Sequence, residues 1–266
     1  LNVPFEAEAL AALQAVSSAE ELLHGTTDRS VISAKESRRD IVTALDLLLE
    51  RHITSVLKQT GHPVLGEEAY ATSPNMPADE TTFWLVDPID GTVNFANGVP
   101  YFAISAGLWE GGGFRVGAVS LPAFKELFFT HGDEAAFLNG RRLKVRPARI
   151  DEALVGVSFP GRATAEKQDP YGMFGRVNEA TRGCLRLGSA AALVCLVACG
   201  RLQGAYGFGA KIWDVGGALA IALRAGAEVR FRRHPGGPLI DYVVAAPGAG
   251  GPLRQILGEG PEWEVE

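Results

Sequence analysis

The apolar run Phe83-Trp84-Leu85-Val86 passes directly into Asp87-Pro88-Ile89-Asp90-Gly91-Thr92, and this junction restricts the fold more than any other stretch of the chain. The run reads as a short β-strand that delivers two carboxylates to its end, with Pro88 and Gly91 shaping a sharp turn between and after them. A helical turn over residues 92–95 would leave the amides of Gly91 and Thr92 as donors at a positive helix end. Carboxylates for a metal ion and amides for a phosphate would then lie side by side. Asp-Pro and Asp-Gly are also ordinary turn dipeptides, and on these residues alone a hairpin with both acids facing water is the other reading.

The hydrophobic period changes at this junction. Upstream, apolar residues recur at helical spacing over residues 5–23, ending near His24-Gly25. A second helix starts near Thr43, whose hydroxyl can cap while Asp46 stands three residues on, and it stops at Gly61 to Pro63. Downstream, residues 102–108, 114–121 and 126–130 are β-prone and separated by glycine and proline. The second half alternates: strand 154–158, helix 190–198, strand 205–208, helix 215–224, strands 228–231 and 242–245. This pattern predicts layered α+β and α/β structure with sheets covered by helices. A seam near residues 149–151 is expected to divide an N-terminal half, 1–150, from a C-terminal half, 151–266.

Composition narrows the class. A chain of 266 residues with 47% hydrophobic content can bury a large core. The longest apolar stretch, residues 190–199, falls short of the roughly 20 needed to cross a bilayer. Residues 1–23 carry Glu6, Glu8, Glu20 and Glu21 instead of a basic start, so no secretion signal or membrane association is expected and a cytoplasmic location follows. A net charge of -6 gives no footprint for nucleic acid, and the local cluster Arg141, Arg142, Lys144, Arg146 and Arg149 reads as a solvated face. Cys184, Cys195 and Cys199 form no C-x-x-C pair and read as small buried hydrophobes. The five histidines match no ligand spacing.

Two further acids stand at element ends. Gly66-Glu67-Glu68 follows the short apolar stretch Pro63-Val64-Leu65. Glu67 is thereby placed at a strand end, with Glu68 as a solvated or ion-paired neighbour. Trp213-Asp214 heads a helix, where a negative charge suits the dipole, although a plain helix cap would look the same. With Asp40-Ile41-Val42-Thr43-Ala44-Leu45-Asp46, Asn94-Phe95, Asn139-Gly140, Leu187-Gly188-Ser189-Ala190, Ala225-Gly226 and Val244-Ala245-Ala246, these motifs run in order along most of the chain. In that order and spacing the chain resembles the inositol monophosphatase family.

The resemblance implies an αβαβα sandwich of two packed halves and a Mg²⁺-dependent phosphomonoesterase, typically a homodimer and lithium-sensitive. It implies two or three Mg²⁺ per site, replaceable by Mn²⁺, one held by Glu67, Asp87 and the Ile89 carbonyl, another by Asp87, Asp90 and Asp214. An all-oxygen donor set suits a hard cation. By the same resemblance Glu67 and Thr92 orient the attacking water, Asp46 supports Thr92, and the Gly91 and Thr92 amides hold phosphate. Asp90 and Asp214 lie near the leaving oxygen, and Ser189 and Ala190 line the substrate side through backbone. Lys35 matches a lysine on a loop near the metals, with an exposed loop lysine as the equal alternative; Asp40 would orient backbone near the site.

Substrate identity is less constrained. In inositol-specific members a glutamate six residues before the tryptophan of the Trp-Asp motif meets sugar hydroxyls; Gly207 stands at that count here. Lys211, three residues before Asp214, offers a cation for a second anionic group or a solvated side chain, and Arg186 either supports the loop before Ser189 or faces the substrate. An inositol monophosphate is the nominal substrate, with histidinol phosphate, fructose 1,6-bisphosphate and adenosine 3',5'-bisphosphate as alternatives. A regulatory, protein-binding member of the same fold is the rival from another class.

Overall fold

The computed structural model describes residues 3–26, 31–34, 41–78, 80–159, 169–258 and 264–265. The chain opens with α1 (Glu6–His24), the strand pair β1 (Val31–Ala34) and β2 (Ile41–Thr43), and α2 (Ala44–Leu57). Next come β3 (Val64–Gly66), α3 (Glu67–Thr72), β4 (Phe83–Asp90) and α4 (Thr92–Ala96). The meander β5 (Ala103–Glu110), β6 (Gly113–Leu121), β7 (Glu126–His131), β8 (Ala135–Leu138) and β9 (Arg141–Arg142) follows. The remainder comprises β10 (Leu154–Ser158), α5 (Pro170–Ala180), β11 (Gly183–Leu185), α6 (Ala190–Ala198), β12 (Gly204–Lys211) and α7 (Ile212–Arg224). It closes with β13 (Glu228–Arg233), β14 (Leu239–Ala245), α8 (Gly250–Leu257) and β15 (Glu264–Val265).

Two large sheets organise these elements: a seven-stranded one in the order β3-β4-β5-β6-β7-β8-β9 and a six-stranded one in the order β11-β10-β12-β14-β13-β15. Alternation along the strands decides what covers each face. Trp84, Val86, Ile104 and Val116 face α1 and α2, which contribute Val16, Leu49 and Ile53. Phe83, Leu85, Phe114 and Val119 point the other way, into a core shared with α6, α7 and the inner face of the second sheet through Ala205, Ile240 and Tyr242. Tyr206, Val243 and Ala245 on that sheet's outer face meet Met173 and Val177 of α5 and Leu253 of α8. The layers therefore run helix, sheet, helix, sheet, helix, as expected.

The middle helix layer sits unusually close to the first sheet. Gly107 and Gly117 are cross-strand partners on β5 and β6, and together they leave a notch for Gly216-Gly217 of α7. A Cβ on Gly117 would lie 1.9 Å from the Gly217 carbonyl oxygen, and one on Gly217 would lie 2.5 Å from that of Ala106. The contact is backbone on backbone, so neither side can yield by changing rotamer.

The acids are presented differently from the expected strand end and sharp turn. β4 continues through Asp90 with all eight residues buried. Asp87 pairs with Ser105 and Asp90 with Ala103, so three steps on β4 match two on β5 and a bulge lies between. Proline lacks a ladder donor and is tolerated at such a bulge, where Pro88 sits. The turn comes only at Gly91, in the left-handed region with φ 97°, and leads into α4.

Other differences have local causes. α7 starts three residues before the expected position because β12 runs on to Lys211. No local signal marks helix α5: its two glycines, Gly172 and Gly175, interrupt its apolar pattern, and Asp169 initiates it by accepting from the Gly172 amide at 2.9 Å. Helix α8 opens on Gly250-Gly251-Pro252, which reads as loop. In the basic cluster, Leu143 and Val145 are buried while Lys144 and Arg146 are exposed; Cys184 and Cys195 are buried thiols. Among the described residues no helix is long and apolar enough to cross a membrane.

Gly117→Ala is expected to destabilise the protein by about 3 kcal/mol or more through overpacking against Gly217. Gly237→Ala, where nothing lies within 4 Å of the added atom, should stay within about 0.5 kcal/mol of wild type. Urea unfolding of the two variants checks the contrast.

Candidate metal centre

Three carboxylates from separate elements meet at one end of the first sheet. Glu67 is the first residue of α3, directly after β3; Asp87 lies in β4; Asp214 is in the first turn of α7. One oxygen from each lies within 4.8 Å of the others. β3 and β4 run parallel with Gly66 opposite Val86, which sets Glu67 and Asp87 side by side. Asp87 Oδ1 accepts from the Ile89 amide at 3.0 Å, and Asp214 accepts from the Lys211 amide at 3.1 Å.

Burial and mutual repulsion dominate the electrostatics. The Asp87 carboxyl is held well above the usual carboxylate range, first by burial and then by the charges of Glu67, Asp90, Asp214 and Asp46. Asp214 is raised likewise by burial, Asp90 and Glu67, against the pull of the Lys211 amide and charge. Such a cluster favours protons or a cation. The trio contains no His or Cys, so a hard divalent ion matches its donors and a thiophilic one does not. The residues present fit Mg²⁺ in donor type and charge.

Asp90 stands beside the trio with one oxygen already committed. Its Oδ2 accepts from the Ser189 hydroxyl at 2.6 Å and from the Ala191 amide at 2.6 Å. Burial pushes the Asp90 carboxyl up to about 7, opposed by those hydrogen bonds from Ser189 and Ala191. Ser189 also accepts from the Ala192 amide at 3.2 Å, so it caps α6 and ties that helix to β4. Its buried hydroxyl is thus occupied within the protein, as is the buried Ala190 methyl, leaving backbone as their route to any bound molecule. Asn94 completes this junction by donating to the carbonyls of Tyr101 at 2.7 Å and Leu187 at 2.8 Å.

Thr92 begins α4 and is backed by α2. Its hydroxyl lies 3.2 Å from Asp46 Oδ1 and 2.9 Å from the Ile89 carbonyl, both acceptors. Asp46 is fully buried; its other oxygen accepts from the Thr43 amide at 2.8 Å and from the Thr43 hydroxyl in a capping box. The hydroxyl hydrogen of Thr92 is thereby directed inward and its lone pairs are left for a donor outside. Gly91 and Thr92 contribute the first amides of the α4 turn, for which the helix supplies no acceptor.

The remaining sequence candidates separate. Glu68 is buried rather than solvated: the α3 turn directs it inward, whereas Glu67 faces Asp87 and Asp214. Lys35 and Asp40 lie outside the described residues. Arg186 is exposed and stacks over Phe159 at 5.2 Å. Gly207 is overlaid by Tyr242, whose hydroxyl reaches across it to Ser158 Oγ at 2.9 Å. A Cβ at position 207 would lie 2.6 Å from Tyr242 Cε1 and 3.1 Å from Ser158 Cβ. Ser158 and Tyr242 escaped the sequence reading, because only the strand order β10-β12-β14 makes them neighbours across the glycine.

Comparison with known proteins agrees with this architecture. Residues 4–251 match the profile of the "Inositol monophosphatase family". The inositol-1-monophosphatase SuhB of Mycobacterium tuberculosis is 36% identical over 236 residues, covering 85% of this chain and 81% of the relative. The Nus factor SuhB of Pseudomonas aeruginosa is 34% identical over 226 residues, covering 82% and 83%. The solved inositol monophosphatase of Anabaena (Nostoc) sp. PCC 7120 superposes with a TM-score of 0.80 at 25% identity, covering 97% of each chain.

Carboxyls raised above their unfolded values bind more protons folded than unfolded, so their contribution to stability falls as pH rises from the ordinary carboxylate range through the raised values, about 7 for Asp90. In chelator, the wild type should lose stability between about pH 5 and about pH 8. Asp87→Asn keeps an acceptor for the Ile89 amide and removes one repelling charge. It should flatten that slope and be more stable at the upper end by about 1 kcal/mol or more. Urea titrations across pH check both statements.

Proposed function

This chain belongs to the inositol monophosphatase family of phosphoric monoester hydrolases, and on that premise we propose that it hydrolyses a small phosphorylated metabolite in a Mg²⁺-dependent reaction with water as nucleophile. The convergence of Glu67, Asp87 and Asp214 carries this reading. Glu67, Asp87, Asp214, Asp90 Oδ1 and the second lone pair of the Ile89 carbonyl would hold Mg²⁺, two or three per site. When bound, the cations offset the phosphate charge, acidify a water and stabilise the leaving oxygen.

The chain's own groups position the reactants. With its hydrogen directed toward Asp46 and Ile89, the Thr92 oxygen accepts from the attacking water. Glu67 accepts the second hydrogen of that water, which turns an oxygen lone pair toward phosphorus. Amides of Gly91 and Thr92 donate to the phosphate oxygens. Water beside Asp90 or Asp214 returns a proton to the departing alkoxide. Lys211 adds a cation on the substrate side of Asp214, while Ser189 and Ala190 offer backbone there.

The substrate side differs from the inositol-specific pattern. Where a glutamate would accept sugar hydroxyls, the wall beside Gly207 is formed by Tyr242 and Ser158. We therefore keep inositol monophosphate as the nominal substrate only, beside histidinol phosphate and the bisphosphates. A purely regulatory role gives no reason to hold repelling acids so close together.

A phosphate-release panel over these substrates, with and without Mg²⁺, tests the proposal. At least one should be turned over only with Mg²⁺, and Asp87→Asn should reduce that rate about 100-fold or more; undiminished activity in this variant would sink the mechanism. Thr92→Val should lower kcat with KM little changed, and Thr92→Ser should restore much of it. Gly207→Glu alone should fail to raise inositol phosphate turnover, because the Tyr242 ring blocks the new side chain.

A further inference from the structure

We propose that Glu50 is a positioning residue for the metal centre, fixing the ligand Glu67 by capping the helix that Glu67 begins; this rests on the reading of Glu67 as a metal ligand. Glu50 lies on α2, buried at 6% exposure. Its carboxylate accepts from the Glu68 amide at 2.7 Å through Oε2 and from the Ala69 amide at 2.8 Å through Oε1. These are the second and third residues of α3, whose own N-cap residue, Gly66, offers no side-chain cap. A six-residue helix cannot hold itself. What fixes the backbone on either side of Glu67 is β3 before it and the Glu50 carboxylate after it.

Gly66 independently supports the assignment. Its φ of −99° and ψ of 153° are open to any residue, so no backbone strain requires glycine. The requirement is space: a Cβ there would lie 2.4 Å from Glu50 Cδ and within 2.7 Å of both oxygens. The glycine lets a buried carboxylate come up against the strand end and meet two amides at once. Burying a charged side chain is costly, and a local Ser or Asp cap would serve a surface helix. Glu50 also stands one turn beyond Asp46 on α2, and residues four apart share a helix face. One face of α2 thus backs Thr92 through Asp46 and Glu67 through Glu50.

The test is Mn²⁺ binding to the purified full chain, followed by titration calorimetry, together with kcat and KM at saturating Mg²⁺. Glu50→Ala should weaken Mn²⁺ binding about 10- to 100-fold, the range for loss of a group that orients a ligand. Glu50→Gln, which keeps one acceptor, should fall between Ala and wild type. Gly66→Ala leaves Glu50 in place chemically but displaces it, and should weaken binding similarly. The double variant Glu50→Ala/Gly66→Ala should be no weaker than the worse single one, since both remove the same contact. Folded Glu50→Gln and Gly66→Ala proteins that bound Mn²⁺ as tightly as wild type, with only a lower melting temperature, would show an ordinary structural cap and overturn the proposal. Wild-type protein that bound no Mn²⁺ would instead overturn the metal reading, and the role of Glu50 with it.

Discussion

Like charges held close together repel, and the arrangement of Glu67, Asp87 and Asp214 imposes that condition on everything around it. Folding has to hold the three against their tendency to separate. The chain does so by mounting each acid on a different rigid element and by connecting those elements through main-chain contacts. Asp87 is locked in the ladder between β4 and β5. Asp214 follows the seating of α7, and Glu67 follows the β3–β4 register and the cap on α3. The helical layers thus serve the site as much as they bury apolar surface.

The hydrogen bonds around the trio have a common logic. Carboxylates that surround the site are saturated from the side away from it. Asp46 takes Thr43, Asp90 takes Ser189 and Ala191, and Glu50 takes two amides of α3. Anchored in this way, Asp46, Asp90 and Glu50 stay fixed around the trio. A buried polar network of this kind is favourable only when its members are paired.

Much of this was legible in the sequence where local chemistry decides the outcome. Thr43 with Asp46 three residues on announced the capping box, strand 154–158 and helix 190–198 fell where apolar runs met glycine or serine, and the order of the acidic motifs named the family. Long-range geometry was not legible. The bulge at Pro88 depends on the partner strand β5, so the sequence suggested a turn where the sheet continues. The Tyr242–Ser158 bridge and the reach of Glu50 to α3 join residues 84 and 18 positions apart, and no local period reports such pairings. Glu68 reads as solvated or ion-paired, and its burial is hidden because the turn of α3 is too short to leave a periodic signal.

The glycine notch beneath α7 links these observations. Ser105 pairs with Asp87, and its hydroxyl oxygen lies 2.9 Å from where a Cβ on Gly217 would be, one helical turn from Asp214. Apart from that one hydroxyl, main chain bears on main chain between the sheet and α7, at Gly107, Gly117 and Gly217. A spacing fixed by side-chain packing drifts as core residues are exchanged over generations, whereas a spacing fixed by abutting backbones acts as a mechanical stop. The gauge of the charged centre is accordingly set less by how the surrounding leucines and valines pack than by these abutting backbones.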